Sequence, residues 1–153
     1  MGAVLTTVLV IDDDSGVRRM LSTVLEDEGY VVEAVEKGRD AVKACSKTAF
    51  DVALVDIELP DTKGTELILK LKRLRPRIIT IIVTGRPSME SAIRAVNERA
   101  DAYLTKPIEV TELLSTIAKL VDEKTNEYVH MFGEVSRAKE DTSIFKYQRP
   151  DRW

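Results

Sequence analysis

The stretch that decides the fold is Val8-Leu9-Val10-Ile11-Asp12-Asp13-Asp14, a β-rich apolar run that stops abruptly at three carboxylates. Thr7 to Ile11 reads as a strand, and its unbroken apolar character is that of a strand covered on both faces. Ser15 stands where it can cap the helix that follows. In that helix Val17, Met20, Leu21, Val24 and Leu25 recur at helical spacing on one stripe, and Gly29 marks its end. The same alternation repeats along the chain. Tyr30 to Val35 is a second strand, less uniformly apolar and so nearer an edge, followed by a weaker helix over Asp40 to Lys47. Val52 to Val55 is a third strand ending at Asp56. The loop Ile57-Glu58-Leu59-Pro60-Asp61-Thr62-Lys63-Gly64 leads to a helix expected to turn Leu67, Ile68, Leu71 and Leu74 inward. Ile78 to Val83, the most apolar strand, is expected at the centre. After Thr84-Gly85-Arg86-Pro87, Ser88 opens a helix expected to bury Ala92, Ile93 and Val96. Ala102-Tyr103-Leu104 is a short fifth strand. A last helix starts near Val110 with Leu113, Leu114, Ile117, Leu120 and Val121 inward.

Five strands alternating with five helices through short loops predict an α/β fold, a doubly wound parallel sheet with helices on both faces. The 153 residues suit one domain able to bury an ample core, and 44% hydrophobic with 32% charged residues argues against wholesale disorder. Lys plus Arg number 23 against 26 Asp plus Glu, a net charge of -3 without the basic excess expected of direct nucleic-acid or anionic-membrane binding. A single cysteine, Cys45, rules out an internal disulfide framework and fits a reducing compartment. The N-terminus lacks a basic n-region and no apolar run approaches the ~20 residues of a membrane span. Together these features predict a cytoplasmic protein.

The informative feature is where each apolar strand stops. The first ends at Asp12-Asp13-Asp14, the third at Asp56 and the fourth at Thr84, and Lys106 follows the fifth. In an open parallel sheet, ligand sites form outside the carboxyl ends of the strands. Carboxylates, a hydroxyl and an ammonium thus converge on one rim. Crowded carboxylates favour a hard divalent cation such as Mg²⁺, and a carboxylate beside such a cation can be a phosphoryl nucleophile. Phosphoryl transfer mainly requires positioning and charge neutralisation, which a metal, a lysine and a hydroxyl supply. For Asp14 alone the plainer reading is a helix cap or a solvated side chain.

Four segments carry a family resemblance: Val8 to Asp14, Val55 to Gly64, Ile82-Val83-Thr84-Gly85, and Tyr103-Leu104-Thr105-Lys106-Pro107. In this order and spacing the chain closely resembles the receiver domain of two-component response regulators, the CheY-like family, over residues 6–122. The resemblance implies a flavodoxin-like sheet of strand order 2-1-3-4-5. It implies a phosphorylation-activated signalling switch in which Asp56 accepts a phosphoryl group from a sensor histidine kinase or phosphotransfer protein. Asp12, Asp13, Asp56 and the backbone carbonyl of Glu58 would hold Mg²⁺. Lys106 and Thr84 would contact the phosphoryl oxygens, and Tyr103 would be the switch aromatic. The Lys106–Pro107 bond is implied to be cis. The face of the fourth helix, fifth strand and fifth helix would bind a partner or a second copy. Arg99 stands where the family commonly has a helix-ending glycine, so a reshaped cap is expected there. Glu58 and Arg86 are expected to flank the site mouth and pair across it.

Residues 123–153 show no recognisable output domain. They nonetheless hold five of the eight aromatics, Tyr128, Phe132, Phe145, Tyr147 and Trp153. Val110, Leu114, Ile117, Val121, Lys124, Tyr128, Met131 and Val135 alternate at spacings of four and three, which would suit an extended fifth helix pairing with another helix; Gly133 argues the other way, for a frayed end and a tail. His130 has no ligand partners nearby in sequence, and Cys45 reads as a buried small hydrophobe. The competing function is a Mg²⁺-dependent aspartyl-nucleophile phosphatase of the haloacid-dehalogenase type. Such an enzyme wants a second aspartate where this chain has Glu58, and no cap insertion is visible. Flavin binding on a similar fold is opposed by the anionic first loop.

Overall fold

The computed structural model describes residues 5–141, with side chains described through Phe132. Ten elements alternate: β1 (Thr7–Ile11), α1 (Ser15–Asp27), β2 (Val31–Val35), α2 (Gly38–Lys47), β3 (Val52–Val55), α3 (Gly64–Leu74), β4 (Ile79–Thr84), α4 (Met89–Asn97), β5 (Ala102–Thr105) and α5 (Val110–Asp141). The sheet is parallel throughout and ordered β2-β1-β3-β4-β5. This is the parallel α/β sheet expected from the alternation, in the strand order 2-1-3-4-5 that the resemblance implied. No described helix is long and apolar enough to cross a membrane.

Burial explains the strand compositions. Every residue of β3 and β4 is buried, and so are four of the five in β1, because helices cover both faces of the inner strands. β2 is an edge strand with no buried residue, as its mixed composition suggested. The middle position belongs to β3, and β4 lies between β3 and β5. Apolarity reports that both faces are covered, which holds for β4 as fully as for the central strand. Leu9, Ile11, Leu67, Ile68, Leu71 and Ile82 pack in one core, with Cys45 among the buried residues.

The caps refine the helix starts. Asp14, rather than Ser15, is the N-cap of α1, its carboxylate accepting from the Val17 amide at 3.1 Å. Both are good caps one residue apart, and the strand exit sets Asp14 in the extended conformation a cap needs. Gly29 closes α1 at φ 93°, a conformation that favours glycine. Arg99 has φ 65° after α4, so the cap there is left-handed without a glycine.

α4 turns a different face to the sheet from the one its apolar residues suggest. Only Ala95 is buried, whereas Met89, Ile93 and Val96 are 78%, 53% and 74% exposed. The small Ala95 lets the helix lie close to the sheet, and the longer apolar side chains form an outward stripe. Leu74, at the end of α3, is also exposed.

The chain divides into two units, residues 1–118 and 119–153. Within the second unit α5 runs on to Asp141, through Gly133. Tyr128 and Phe132 stack one turn apart with ring centroids 4.2 Å from each other. Phe145, Tyr147 and Trp153 lie outside the described residues.

Candidate functional site

The site is built where the ladder of hydrogen bonds outlasts the apolar run. The Asp12 amide donates to the Val35 carbonyl at 3.2 Å and the Asp56 amide to the Ile11 carbonyl at 3.0 Å. The Lys106 amide donates to the Thr84 carbonyl at 2.8 Å. Asp12, Asp56 and Lys106 are therefore carried by backbone pinned to a neighbouring strand, which is a rigid way to hold a constellation. Gly64, at the start of α3, approaches the back of Asp56 so closely that a Cβ there would collide with the Asp56 carbonyl oxygen and with Ile57 Cα. The Lys106–Pro107 bond is cis.

Carboxylate oxygens of Asp12, Asp13 and Asp56 lie within 4.8 Å of one another. Asp12 and Asp56 are 2% and 7% exposed, while Asp13 faces solvent. Lys106 Nζ bridges the buried pair, donating to Asp12 Oδ2 at 2.7 Å and to Asp56 Oδ2 at 3.2 Å. The other oxygens accept backbone amides, Asp12 Oδ1 from Asp14 at 2.9 Å and Asp56 Oδ1 from Glu58 at 3.2 Å. A mouth of about 290 Å³ opens over this group, lined by Asp13, Asp56, Glu58, Thr84, Gly85, Arg86 and Lys106.

The electrostatics follow from crowding. Burial and then the charge of Asp12 push the Asp56 carboxyl above the usual range, against the opposing pull of Lys106 and the Glu58 amide. Burial pulls Lys106 down, but its hydrogen bond and charge interaction with Asp12, together with Asp56, outweigh that and hold its ammonium above the ordinary lysine value. Three carboxylates against one ammonium leave an excess of negative charge that a hard divalent cation would relieve. The donor set, all oxygen, fits such an ion.

The structure brings Asp12, Asp13, Asp56, Thr84 and Lys106 to one rim. Thr84 is buried, its Oγ1 accepting the Arg86 amide at 3.1 Å. Tyr103 is half-buried, packed against the core, with its hydroxyl 2.7 Å from Ser91 Oγ. Glu58 reaches the same mouth but is not one of the three clustered carboxylates. Its side chain pairs with Lys63 at 2.8 Å rather than with Arg86. The cause is local: Glu58 and Lys63 form an antiparallel bridge within the loop, which brings their side chains together.

A family model described as the response regulator receiver domain matches residues 8–118. The chain belongs to the response-regulator receiver family. Among relatives of this receiver, a DNA-binding transcriptional regulator NtrC from Proteus hauseri is 34% identical over 114 residues, covering 74% of this chain and 24% of the relative. The curated relatives first matched are all more than twice as long as the aligned region, the chain covering from 24% to 49% of each. A crystal structure of a CheY-like receiver domain protein from Methanospirillum hungatei is 38% identical with a TM-score of 0.79, covering 81% of this chain and 99% of that one. A solution structure of a beryllofluoride-activated NtrC4 receiver domain dimer is 33% identical with a TM-score of 0.74, covering 77% and 98%. The receiver is thus a phospho-aspartate-activated switch built around the acidic pocket of Asp12, Asp13 and Asp56 with Lys106, a signalling module rather than an enzyme with a foreign substrate.

Three residues at or near the site escaped the reading of the sequence. Arg18 Nη1 donates to the Asp12 carbonyl at 2.7 Å, Lys63 holds Glu58, and Ser91 holds Tyr103. Only Ser91 had a signal, its place three residues after the cap Ser88.

Proposed function

We propose that Asp56 is the phosphoacceptor of this receiver and that a sensor histidine kinase or phosphotransfer protein is its donor. A carboxylate oxygen of Asp56 attacks phosphorus, the O–P bond forms as the N–P bond to the donor imidazole breaks, and the imidazole leaves with the electron pair. The observation that carries this reading is the single lysine held between two buried carboxylates at the open mouth. Lys106 is positioned to leave its carboxylates for the new phosphoryl oxygens, which carry a charge of about -2. Asp12, Asp13 and Asp56, with the Glu58 carbonyl, would hold Mg²⁺, which supplies neutralisation of the equatorial oxygens.

Thr84 then donates its hydroxyl proton to a phosphoryl oxygen, and Tyr103 follows the movement of Thr84. The new charge biases a two-state element only through contacts made in one state, here those of Thr84 and Lys106. The outward stripe Met89, Ile93 and Val96 on α4 supports the α4–β5–α5 face as the surface that meets a partner or a second copy. Residues 6–122 form the receiver module in this reading, and 123–153 an extension that is helical as far as Asp141. The phosphatase alternative loses ground because Glu58, in the place of its general acid, is committed to Lys63.

Phosphotransfer from a phosphohistidine domain tests the roles. Lys106→Ala and Thr84→Ala should leave binding of the donor intact while Lys106→Ala slows transfer by 10-fold or more, roughly one charge-assisted hydrogen bond. Unchanged transfer in Lys106→Ala would refute the assignment.

A further inference from the structure

Ser91 is the third residue of α4, and its hydroxyl is oversubscribed. Ser91 Oγ lies 3.0 Å from Ser88 Oγ, 3.1 Å from the Ser88 carbonyl, 3.2 Å from the Ser88 amide nitrogen and 2.7 Å from the Tyr103 hydroxyl. A serine hydroxyl has one proton and two lone pairs. The Ser88 amide can only donate and takes one lone pair. The Ser88 carbonyl can only accept, while the Ser88 hydroxyl donates to Ser91 Oγ. The Tyr103 contact is the shortest of the four, and either oxygen can be its donor. One hydroxyl therefore completes the capping box of α4 and tethers a ring that comes from β5.

The tether coexists with a particular arrangement of the site. Lys106 is shared by Asp12 and Asp56, and the Thr84 oxygen is bound within its own loop by the Arg86 amide. The Tyr103 ring packs beside the core residues that include Ala95, one turn after Ser91. Any change of the Tyr103 χ1 rotamer swings the hydroxyl through several ångströms and so breaks the contact.

We propose that Ser91 is a positioning residue of the switch: it holds Tyr103 in the arrangement seen here, so that activation must release this hydrogen bond before the ring turns. This rests on the reading of Tyr103 as the switch aromatic. A neutral hydrogen bond made in only one of two states biases their equilibrium by roughly 2–10-fold. The bond therefore raises the activation threshold by that factor.

The test is beryllofluoride affinity of the full chain in Mg²⁺, with the aromatic NMR signal of Tyr103 and the melting temperature recorded for each variant. Ser91→Ala and Tyr103→Phe should each tighten beryllofluoride binding by roughly 2–10-fold, and the double variant by no more than the stronger single one. Ser91→Thr should restore wild-type affinity. Ser88→Ala loses its own half of the cap and should melt earlier, yet bind as wild type does, because Tyr103 keeps its partner. Equal or weaker binding by Ser91→Ala, or the same shift in Ser88→Ala, overturns the proposal. If beryllofluoride binds wild type without moving the Tyr103 signal, the switch reading of Tyr103 fails and this one with it. A signal that moves normally alongside unchanged Ser91→Ala affinity overturns the role of Ser91 alone.

Discussion

Asp56→Asn removes one charge from the acidic pocket while keeping the shape of the side chain, and the geometry says that this stabilises the metal-free protein. Lys106 Nζ, 3.2 Å from Asp56 Oδ2, attracts it by about 5 kcal/mol at an effective dielectric of about 20. The Asp12 carboxylate, within 4.8 Å of Asp56, repels it by about 3.5 kcal/mol at the same dielectric, and the exposed Asp13 adds only a solvent-screened share. The neighbouring charges thus largely offset one another, and burial, the largest influence on this carboxyl, tips the balance against ionised Asp56. Lys106 is not stranded in the variant, because Asp12 remains its partner at 2.7 Å. The expected result is a rise in melting temperature, roughly 4 °C for each kcal/mol of that penalty on ionised Asp56 in a domain of this size, measured by circular dichroism in chelator at pH 7. The pH dependence has a definite sign. The folded Asp56 carboxyl is held above its unfolded value of about 3.9, so between those two values the folded state binds more protons than the unfolded chain. Wild-type stability from this group therefore rises as pH falls through the folded value, and the advantage of the variant shrinks toward pH ~4. Added Mg²⁺ should raise the wild-type melting point more than that of the variant. A variant that melts at or below wild type in chelator at pH 7 would refute the reasoning.

Other perturbations separate the parts of the frame. Thr80 Oγ1 is buried without a hydrogen-bond partner among the described residues, so Thr80→Val should raise the urea midpoint by an amount worth about 1 kcal/mol. Gly64→Ala sets a methyl against the Asp56 backbone; it should cost about 1–3 kcal/mol in denaturation and slow phosphorylation measurably. Asp61 accepts the Gly38 and Arg39 amides at 2.9 Å each and so caps α2 from another loop. Asp61→Ala should destabilise by about 0.5 kcal/mol, the low end for an exposed cap. The Arg39 amide, ahead of the Gly38 amide, holds the Asp61 carboxyl below the usual range. Its stabilisation is therefore present above the unfolded value and lost as pH falls through the folded one, which an acid titration of both proteins would show.

The rim was legible because a strand covered on both faces is apolar until it leaves the sheet. The polar residue that ends the apolar run, Asp12, Asp56 or Thr84, therefore marks the carboxyl edge. The ladder bonds that pin those residues follow from parallel pairing. What stayed illegible depends on side-chain direction. Ile93 and Val96 have the spacing of a core stripe, but the face that Ala95 shares is the one laid on the sheet, and apolar spacing cannot tell a covered face from one offered to a partner. Glu58 is turned to Lys63 by a bridge inside an irregular loop, for which no periodicity exists. The contact of Ser91 with Tyr103 joins residues 12 apart whose meeting depends on how α4 is placed over β5.

The central claim is tested most directly by intact mass spectrometry after exposure to acetyl phosphate and Mg²⁺, beside a metal-free sample and Asp56→Asn. The account predicts one added phosphoryl group in the wild type with metal and none in either control. An adduct that persists in Asp56→Asn, or that forms equally without metal, would contradict it.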